Sequence, residues 1–242
     1  MSGGGPHLAV VIPVRNEAQR LPLLLADLAQ APAGLVAERL VVDGGSHDGS
    51  GTVARLAGAT LLHGPANRGY QLQCGMAAST APWLLLLHGD ARLPRDWGAV
   101  VQRALALPPA AWHFDLAVEG GGLPLRLLEG AVGLRCRLRR LPYGDQGLLL
   151  PRALLERAGG IRSLPLMEDL ELVQRLRPLA PLRSLGLPLR VDGRRWRRHG
   201  ARLGVLRVAW RNAQLRRAWR RGISAEQLAA RYYAPRSYGP SR

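Results

Sequence analysis

Residues 41–50 read VVDGGSHDGS, an apolar run that ends in an acid and is followed by glycines and small hydroxyls. In an open α/β sheet, ligands bind in the crevice beyond the carboxyl ends of the strands, so a strand over residues 38–42 puts Asp43 at a ligand. Gly44 and Gly45 allow a tight turn. Ser46, Asp48 and Ser50 are expected to cap a helix starting near Thr52. Taken alone, the stretch is equally an ordinary strand–turn–helix link, because it lacks the GxGxxG spacing of a dinucleotide fingerprint.

Outward from this stretch, apolar runs alternate with helical patterns. Strands are predicted at 8–14, 40–43, 60–63, 83–87 and 112–118, and helices at about 19–30, 52–56, 69–79 and 96–107. Such alternation predicts an α/β fold with a mostly parallel central sheet flanked by helices. The run at 83–87 leads through His88 and Gly89 to a second strand-end acid, Asp90. A Gly-rich break at 119–123 follows. Beyond it come an Arg-rich helix at 125–140, a turn at 143–147, an apolar run at 148–150 and a helix from Arg152. Next, Glu168, Asp169 and Glu171 open another helix, where the macrodipole stabilises carboxylates. A last strand at 185–191 precedes a helical, Arg-rich C-terminal region, in which Ser224 and Gln227 make a capping-box pattern. The second half lacks strands for its own sheet, so residues 1–242 are read as one domain with halves at 1–122 and 123–242.

The composition fits a globular chain: 242 residues, 47% hydrophobic and 21% charged. All 34 basic residues are arginine, and the halves differ sharply. Residues 1–122 hold 8 Arg against 9 Asp and Glu, whereas 123–242 hold 26 against 8, giving −1 and +18. A surface so basic favours anionic partners. Nucleic acid is disfavoured, because aromatics are only 5% and no nucleic-acid motif is present. Two cysteines make no disulfide framework. No apolar run approaches the roughly 20 residues of a membrane span, and the first residues lack a signal-peptide pattern. The expected location is cytoplasmic, with any membrane contact peripheral, at the inner face. A helix over 203–221 shows no clean apolar stripe when projected, and is read as covering the sheet while its arginines snorkel.

Three separated acids now stand at strand or helix ends. A carboxylate-held Mg²⁺ or Mn²⁺ stabilises a departing diphosphate, and Asp90 is the candidate ligand. A hydroxyl acceptor must lose its proton as it attacks, and Asp169 is the candidate base, with Glu168 and Glu171 as alternatives. Asp43 is suited to read donor NH or OH groups of a nucleotide.

These residues resemble a known family. VVIPVRNEAQRL at 10–21, VVDGGSHDGS, LLLLHGDARLP at 84–94 and PLMEDLEL at 165–172 are similar to family-two glycosyltransferases of the GT-A, Rossmann-like nucleotide-diphosphosugar transferase fold. ANRGYQLQCG at 66–75 and RRW at 194–196 bring the chain near the small soluble radical-SAM/selenodomain-associated transferases. The resemblance implies a nucleotide-diphosphosugar donor and a hydroxyl acceptor of unstated identity. Pro13, Glu17, Asp43 and Arg68 would line the nucleotide site, while Asp90 would bind ribose and metal. Gly144, Asp145 and Gln146 would face sugar and acceptor. Asp169 of the Glu168–Asp169 pair would be the base of an inverting displacement, with Arg195 and Trp196 closing the site. His88 stands where the family often has the first Asp of Asp-x-Asp, and Asp192 where processive synthases have Gln. A non-processive enzyme is therefore expected. The alternatives are a nucleic-acid binder on a relic nucleotide fold, and a peripheral-membrane transferase acting on a lipid-linked acceptor.

Overall fold

The computed structural model describes residues 7–197 and 201–233. Leu8–Val14 forms β1, whose seven residues are all buried because both faces of the strand are covered. Its side chains alternate: Leu8, Val10, Ile12 and Val14 enter one core, and Ala9 and Val11 enter the other. Helix α1 (Leu21–Ala29) follows, then β2 (Val36–Asp43), α2 (Ser50–Leu56), β3 (Thr60–His63), α3 (Arg68–Ala77), β4 (Trp83–Leu86), α4 (Trp97–Leu105) and β5 (Ala111–Val118). The first core holds α1 and α4 on one face of the sheet, through Leu21, Leu24, Leu28, Trp97 and Val101. Each fully buried leucine there contributes roughly 2 kcal/mol.

The second half supplies α5 (Leu123–Arg139), a 3₁₀ turn at Gly144–Gln146, β6 (Leu148–Pro151), α6 (Arg152–Arg157), α7 (Glu168–Leu176) and β7 (Leu182–Val191). It ends in α8 (Arg194–Arg197), α9 (Ala201–Arg220) and α10 (Ala225–Tyr233). Leucines of α3, α6 and α7 pack on the opposite face of the sheet. Seven strands make one sheet in the order β3-β2-β1-β4-β6-β5-β7. It is mostly parallel, as the alternation predicted. β6 alone runs antiparallel to its neighbours β4 and β5, while β5 and β7 pair in parallel. The second half therefore completes the first half's sheet.

α3 lies very close to that sheet. A Cβ on Gly75 would sit 2.3 Å from Val11 Cγ1, so only glycine lets the helix approach β1 there. α9, expected to cover the sheet, packs against its β5–β7 side and on α5. Val205 and Val208 pack on Leu125 and Val132 of α5 and on the ends of β5 and β7, and Leu215 packs on Leu166 and Leu170. The capping pattern at Ser224 is present in part: Gln227 N–H donates to Ser224 Oγ at 3.3 Å.

Candidate active site

β1, β2 and β4 end side by side, and the loops that leave them build one wall of a cleft. The expected caps of α2 instead tie two loops together. Ser46 Oγ accepts from Asn16 N–H (2.9 Å), Ser50 Oγ from Glu17 N–H (2.8 Å) and Asp48 Oδ2 from Ala18 N–H (2.9 Å). His47 N–H returns a bond to Asn16 Oδ1 at 2.9 Å. Gly49, at φ 88°, occupies the helix N-cap position without a side-chain cap. Asp48 does accept from Ser50 N–H at 3.1 Å, in the first turn of α2. This ladder fixes the backbone that carries Glu17.

The cleft has two adjoining compartments. The larger, about 470 Å³, is lined by Pro13, Glu17, Arg68, Gln71, Arg194 and Tyr233 among others. The smaller, about 190 Å³, is lined by Tyr143, Asp145, Met167, Asp169, Trp196, Asn212, Arg216 and Tyr232 among others. His88, Asp90, Asp192 and Arg68 line both. The wall between the compartments is thus charged.

On the larger side the carboxylates crowd one another. Burial and the nearby Asp90 push the Glu17 carboxyl up to about 7, although Arg194 opposes the shift. Burial, with Asp192 adding to it, also raises Asp90. Arg194 reaches Glu17 Oε2 at 3.3 Å and also pairs with Asp192. Gln71 is buried and donates to the carbonyls of Val14 (3.0 Å) and Val42 (2.7 Å), pinning α3 to the ends of β1 and β2.

Opposite stands the N-terminus of α7. Asp169 Oδ2 accepts from Gly144 N–H at 2.6 Å and Oδ1 from Leu170 N–H at 2.7 Å. These bonds fix the carboxylate on the wall of the smaller compartment. Gly144 is wedged in place, since a Cβ there would lie 2.9 Å from His88 Nε2 and 3.2 Å from Asp169 Oδ2. Met167, just before α7, adopts φ 67°, a left-handed conformation unusual for a non-glycine residue. Glu168 faces neither compartment. It is 1% exposed and binds Arg68 Nη1 at 3.0 Å through Oε1; its Oε2 has no hydrogen-bond partner among the described residues. Burial raises its carboxyl while Arg68 opposes, and Glu168 in turn raises the Arg68 guanidinium.

Two expected site residues lie behind the wall. Asp43 is buried, and its Oδ1 takes both the N–H (3.0 Å) and the hydroxyl (2.6 Å) of Ser46, so it stabilises the turn and does not line the cleft. Gln146 is 1% exposed. Its Oε1 accepts from Tyr143 N–H (3.2 Å) and Arg135 (3.1 Å), and its amide donates to the Phe114 carbonyl (3.1 Å). It holds the 3₁₀ turn from beneath. Asp145 and Trp196 do line the smaller compartment. Arg195 lies in α8, with its side chain outside what is described.

Several lining residues were absent from the expected set, notably Asp192, Arg194, Gln71, Asn212 and Arg216. Asp192 follows the last residue of β7, so the strand-end rule that singled out Asp90 applies to it too. Arg216 stands near the Tyr143 ring, its guanidinium carbon 5.0 Å from the centroid, with Arg135 at 3.6 Å. Burial holds its guanidinium below the ordinary arginine range.

Among the described residues no three His, Cys, Asp or Glu side chains converge as a metal site. A preformed protein cage is not required for Mg²⁺, which is commonly held by one or two carboxylates plus substrate phosphates. Glu17, Asp90 and Asp192 interact repulsively across the shared wall, and a cation would relieve that repulsion. The donor set therefore fits a divalent cation that arrives with a diphosphate.

Comparison with known proteins agrees with this geometry. Residues 9–117 match the family described as glycosyl transferase family 2. Uncharacterized glycosyltransferases of Mycobacterium tuberculosis and Mycobacterium bovis are 36% identical over 155 residues, 58% of this chain and 65% of theirs. The match thus spans less than two thirds of those relatives. Among solved structures, S. aureus TarS 1–349 superposes with a TM-score of 0.62 at 15% identity, covering 77% of this chain and 60% of that one. Glucosyl-3-phosphoglycerate synthase from Mycobacterium tuberculosis, in complex with Mn²⁺, UDP and phosphoglyceric acid, gives 0.54 at 22% identity, covering 76% and 70%. The chain has the GT-A fold of these solved structures, and residues 9–117 carry its match to glycosyl transferase family 2.

Proposed function

We propose that this protein transfers a sugar from a nucleotide-diphosphosugar to a hydroxyl acceptor, with inversion and without processive polymerisation. The observation that carries this reading is the charged wall shared by two compartments: Asp90 belongs to both, and Asp169 stands on the smaller one only. TarS has been crystallised with UDP and with UDP-GlcNAc, and the mycobacterial synthase with UDP and Mn²⁺. Those complexes support a nucleotide-sugar donor, which we assign to the larger compartment, beside Pro13, Glu17 and Arg68.

Asp90 would hold Mg²⁺ or Mn²⁺ with the donor's phosphates, and the ion would neutralise charge on the leaving diphosphate. In the smaller compartment Asp169 takes the acceptor hydroxyl proton, the freed oxygen forms a bond to the anomeric carbon, and the carbon–diphosphate bond breaks on the opposite face. Each Asp169 oxygen already accepts one backbone N–H and keeps a lone pair for that proton. Arg68, held by Glu168, lies beside both substrates and places positive charge near the leaving group. Glu168 is thus a positioning residue for Arg68. Asp43 and Gln146 support the loops that shape the two compartments.

A thermal-shift screen against UDP, GDP, CDP, dTDP and their sugar conjugates, with and without Mn²⁺, tests the donor half of this reading. One nucleotide class should raise the melting temperature in a metal-dependent way in the parent and not in Asp90→Ala. Absence of a shift with every nucleotide would refute it.

A further inference from the structure

We propose that the outward faces of α5 and α9 form a docking surface for an anionic lipid bilayer. On α5, Leu123, Leu127, Leu134 and Leu138 are 70%, 65%, 57% and 75% exposed. Projected as a helix, these leucines fall with Gly130 and Ala131 on an arc of roughly 100°. No charged residue interrupts that arc. Leu125, Val132 and Cys136, on the opposite side, are buried against β5, β7 and α9. The leucine stripe is therefore not the core-facing side of the helix. At 1.5 Å per residue it runs for about 22 Å.

The charges around the stripe are of one sign. Arg126, Arg137 and Arg139 are exposed, as is Arg140 at the helix end. Glu129, the one acid of α5, is turned inward and accepts from Val118 N–H at 2.7 Å. On α9, Leu206 and Trp210 are exposed, opposite the buried Val205, Val208 and Leu215. Arg207, Arg217 and Arg220 are exposed on the same helix, which contains no acid.

An apolar stripe rimmed by arginine suits the interface of an anionic bilayer, where leucine and tryptophan enter the acyl boundary and the guanidinium groups meet phosphate. No helix among the described residues is long and apolar enough to cross a membrane, so the contact is peripheral. A protein partner matched to this face would need a leucine-complementary groove and an acidic rim; with Glu129 turned inward, the outward faces of α5 and α9 offer no acid for a symmetric pairing with a second copy.

The surface adjoins the smaller compartment. α5 leads directly to Tyr143 and the 3₁₀ turn, and α9 contributes Asn212, Leu215 and Arg216 to the lining. An acceptor hydroxyl carried on a lipid headgroup would thus be presented beside Asp169. That last step rests on the proposed function, whereas the docking surface stands on the two helices alone.

Cosedimentation of the full chain with vesicles containing phosphatidylglycerol, and with vesicles of phosphatidylcholine only, tests the surface. Parent and Leu127→Glu/Leu134→Glu proteins are compared at low and high salt, with light scattering for oligomeric state, a circular-dichroism melt as a check on folding, and the nucleotide thermal shift as a separate readout. The parent should bind the anionic vesicles, and its affinity should fall about tenfold or more with salt or in the variant, because both the charge and the apolar contributions are then weakened. Three results would overturn the proposal: no vesicle binding by the parent, unchanged binding by a folded variant, or a parent dimer that the variant converts to monomer, which would make a second copy the occupant. Vesicle binding without any nucleotide shift would support the surface and defeat the sugar-nucleotide reading separately.

Discussion

The two compartments of the cleft are built from different materials. The larger is made at strand ends, where buried β1, β2 and β4 hold short loops that are cross-bonded to one another. The smaller is made mainly by the N-terminus of α7, a 3₁₀ turn and the arginine-bearing helices α9 and α10. Both carry carboxylates and arginines, but Tyr143, Trp196 and Tyr232 line the smaller against Tyr233 in the larger. A compartment held by strand ends suits a ligand shared across a family, and a helical one can vary with its own partner. The family match follows the same division, since it ends at residue 117, within β5.

Substitutions on either side of the shared wall should therefore separate. Asp169→Asn is expected to lower kcat by roughly 10³-fold, the scale of a lost general base, with donor affinity unchanged. Steady-state kinetics beside nucleotide binding checks this; equal losses in both would merge the compartments. Asp90→Ala should weaken donor affinity in Mn²⁺ by roughly 100-fold, since the leaving diphosphate loses its carboxylate-held cation. Arg216→Met should act only on the acceptor side, raising acceptor KM by about tenfold with donor KM unchanged if its guanidinium meets an acceptor oxygen. A change in donor KM would show that α9 reaches across the wall.

Two further changes probe the scaffold. Gly75→Ala forces a Cβ to 2.3 Å from Val11, and denaturant unfolding should show a loss of about 1–3 kcal/mol. Glu17 gives the smallest effect, visible in its pH dependence. Its folded pKa of about 7 lies above the ordinary 4.5, so the folded state holds this proton more tightly than the unfolded chain. Its stabilising contribution is present below about pH 4.5 and is lost as pH rises through about 7. In metal-free buffer the parent's Tm should fall more across that window than the Tm of Glu17→Gln. Parallel curves would remove Glu17 from the repulsive cluster.

Much of the sheet was legible because parallel strands buried on both faces read as continuous apolar runs. Leu8–Val14 and Thr60–His63 form strands with the expected bounds. The direction of β6 was not legible: Leu148–Pro151 has no pattern that distinguishes a parallel from an antiparallel neighbour, and its place depends on non-local pairing, Leu148 with Leu86 of β4 and Leu149 with Trp112 of β5. At the cleft, Asp90 and Asp169 were found by their positions at element ends. Asp43 satisfied the same rule yet turned to Ser46, three residues along, a choice made by local hydrogen bonding. The Arg68–Glu168 pair joins residues 100 positions apart, which no local pattern encodes. The leucine stripe of α5 was present in the sequence at helical spacing, but only packing shows which side of that helix meets the core.

The division of labour across the shared wall is tested most directly by calorimetric titration of the preferred nucleotide-sugar, in Mn²⁺, into parent, Asp90→Ala and Asp169→Asn proteins. Asp169→Asn should bind like the parent while Asp90→Ala loses most of its affinity. Equal binding by Asp90→Ala and the parent, or loss of binding in Asp169→Asn, would contradict a donor compartment at the strand ends and an acceptor base on α7.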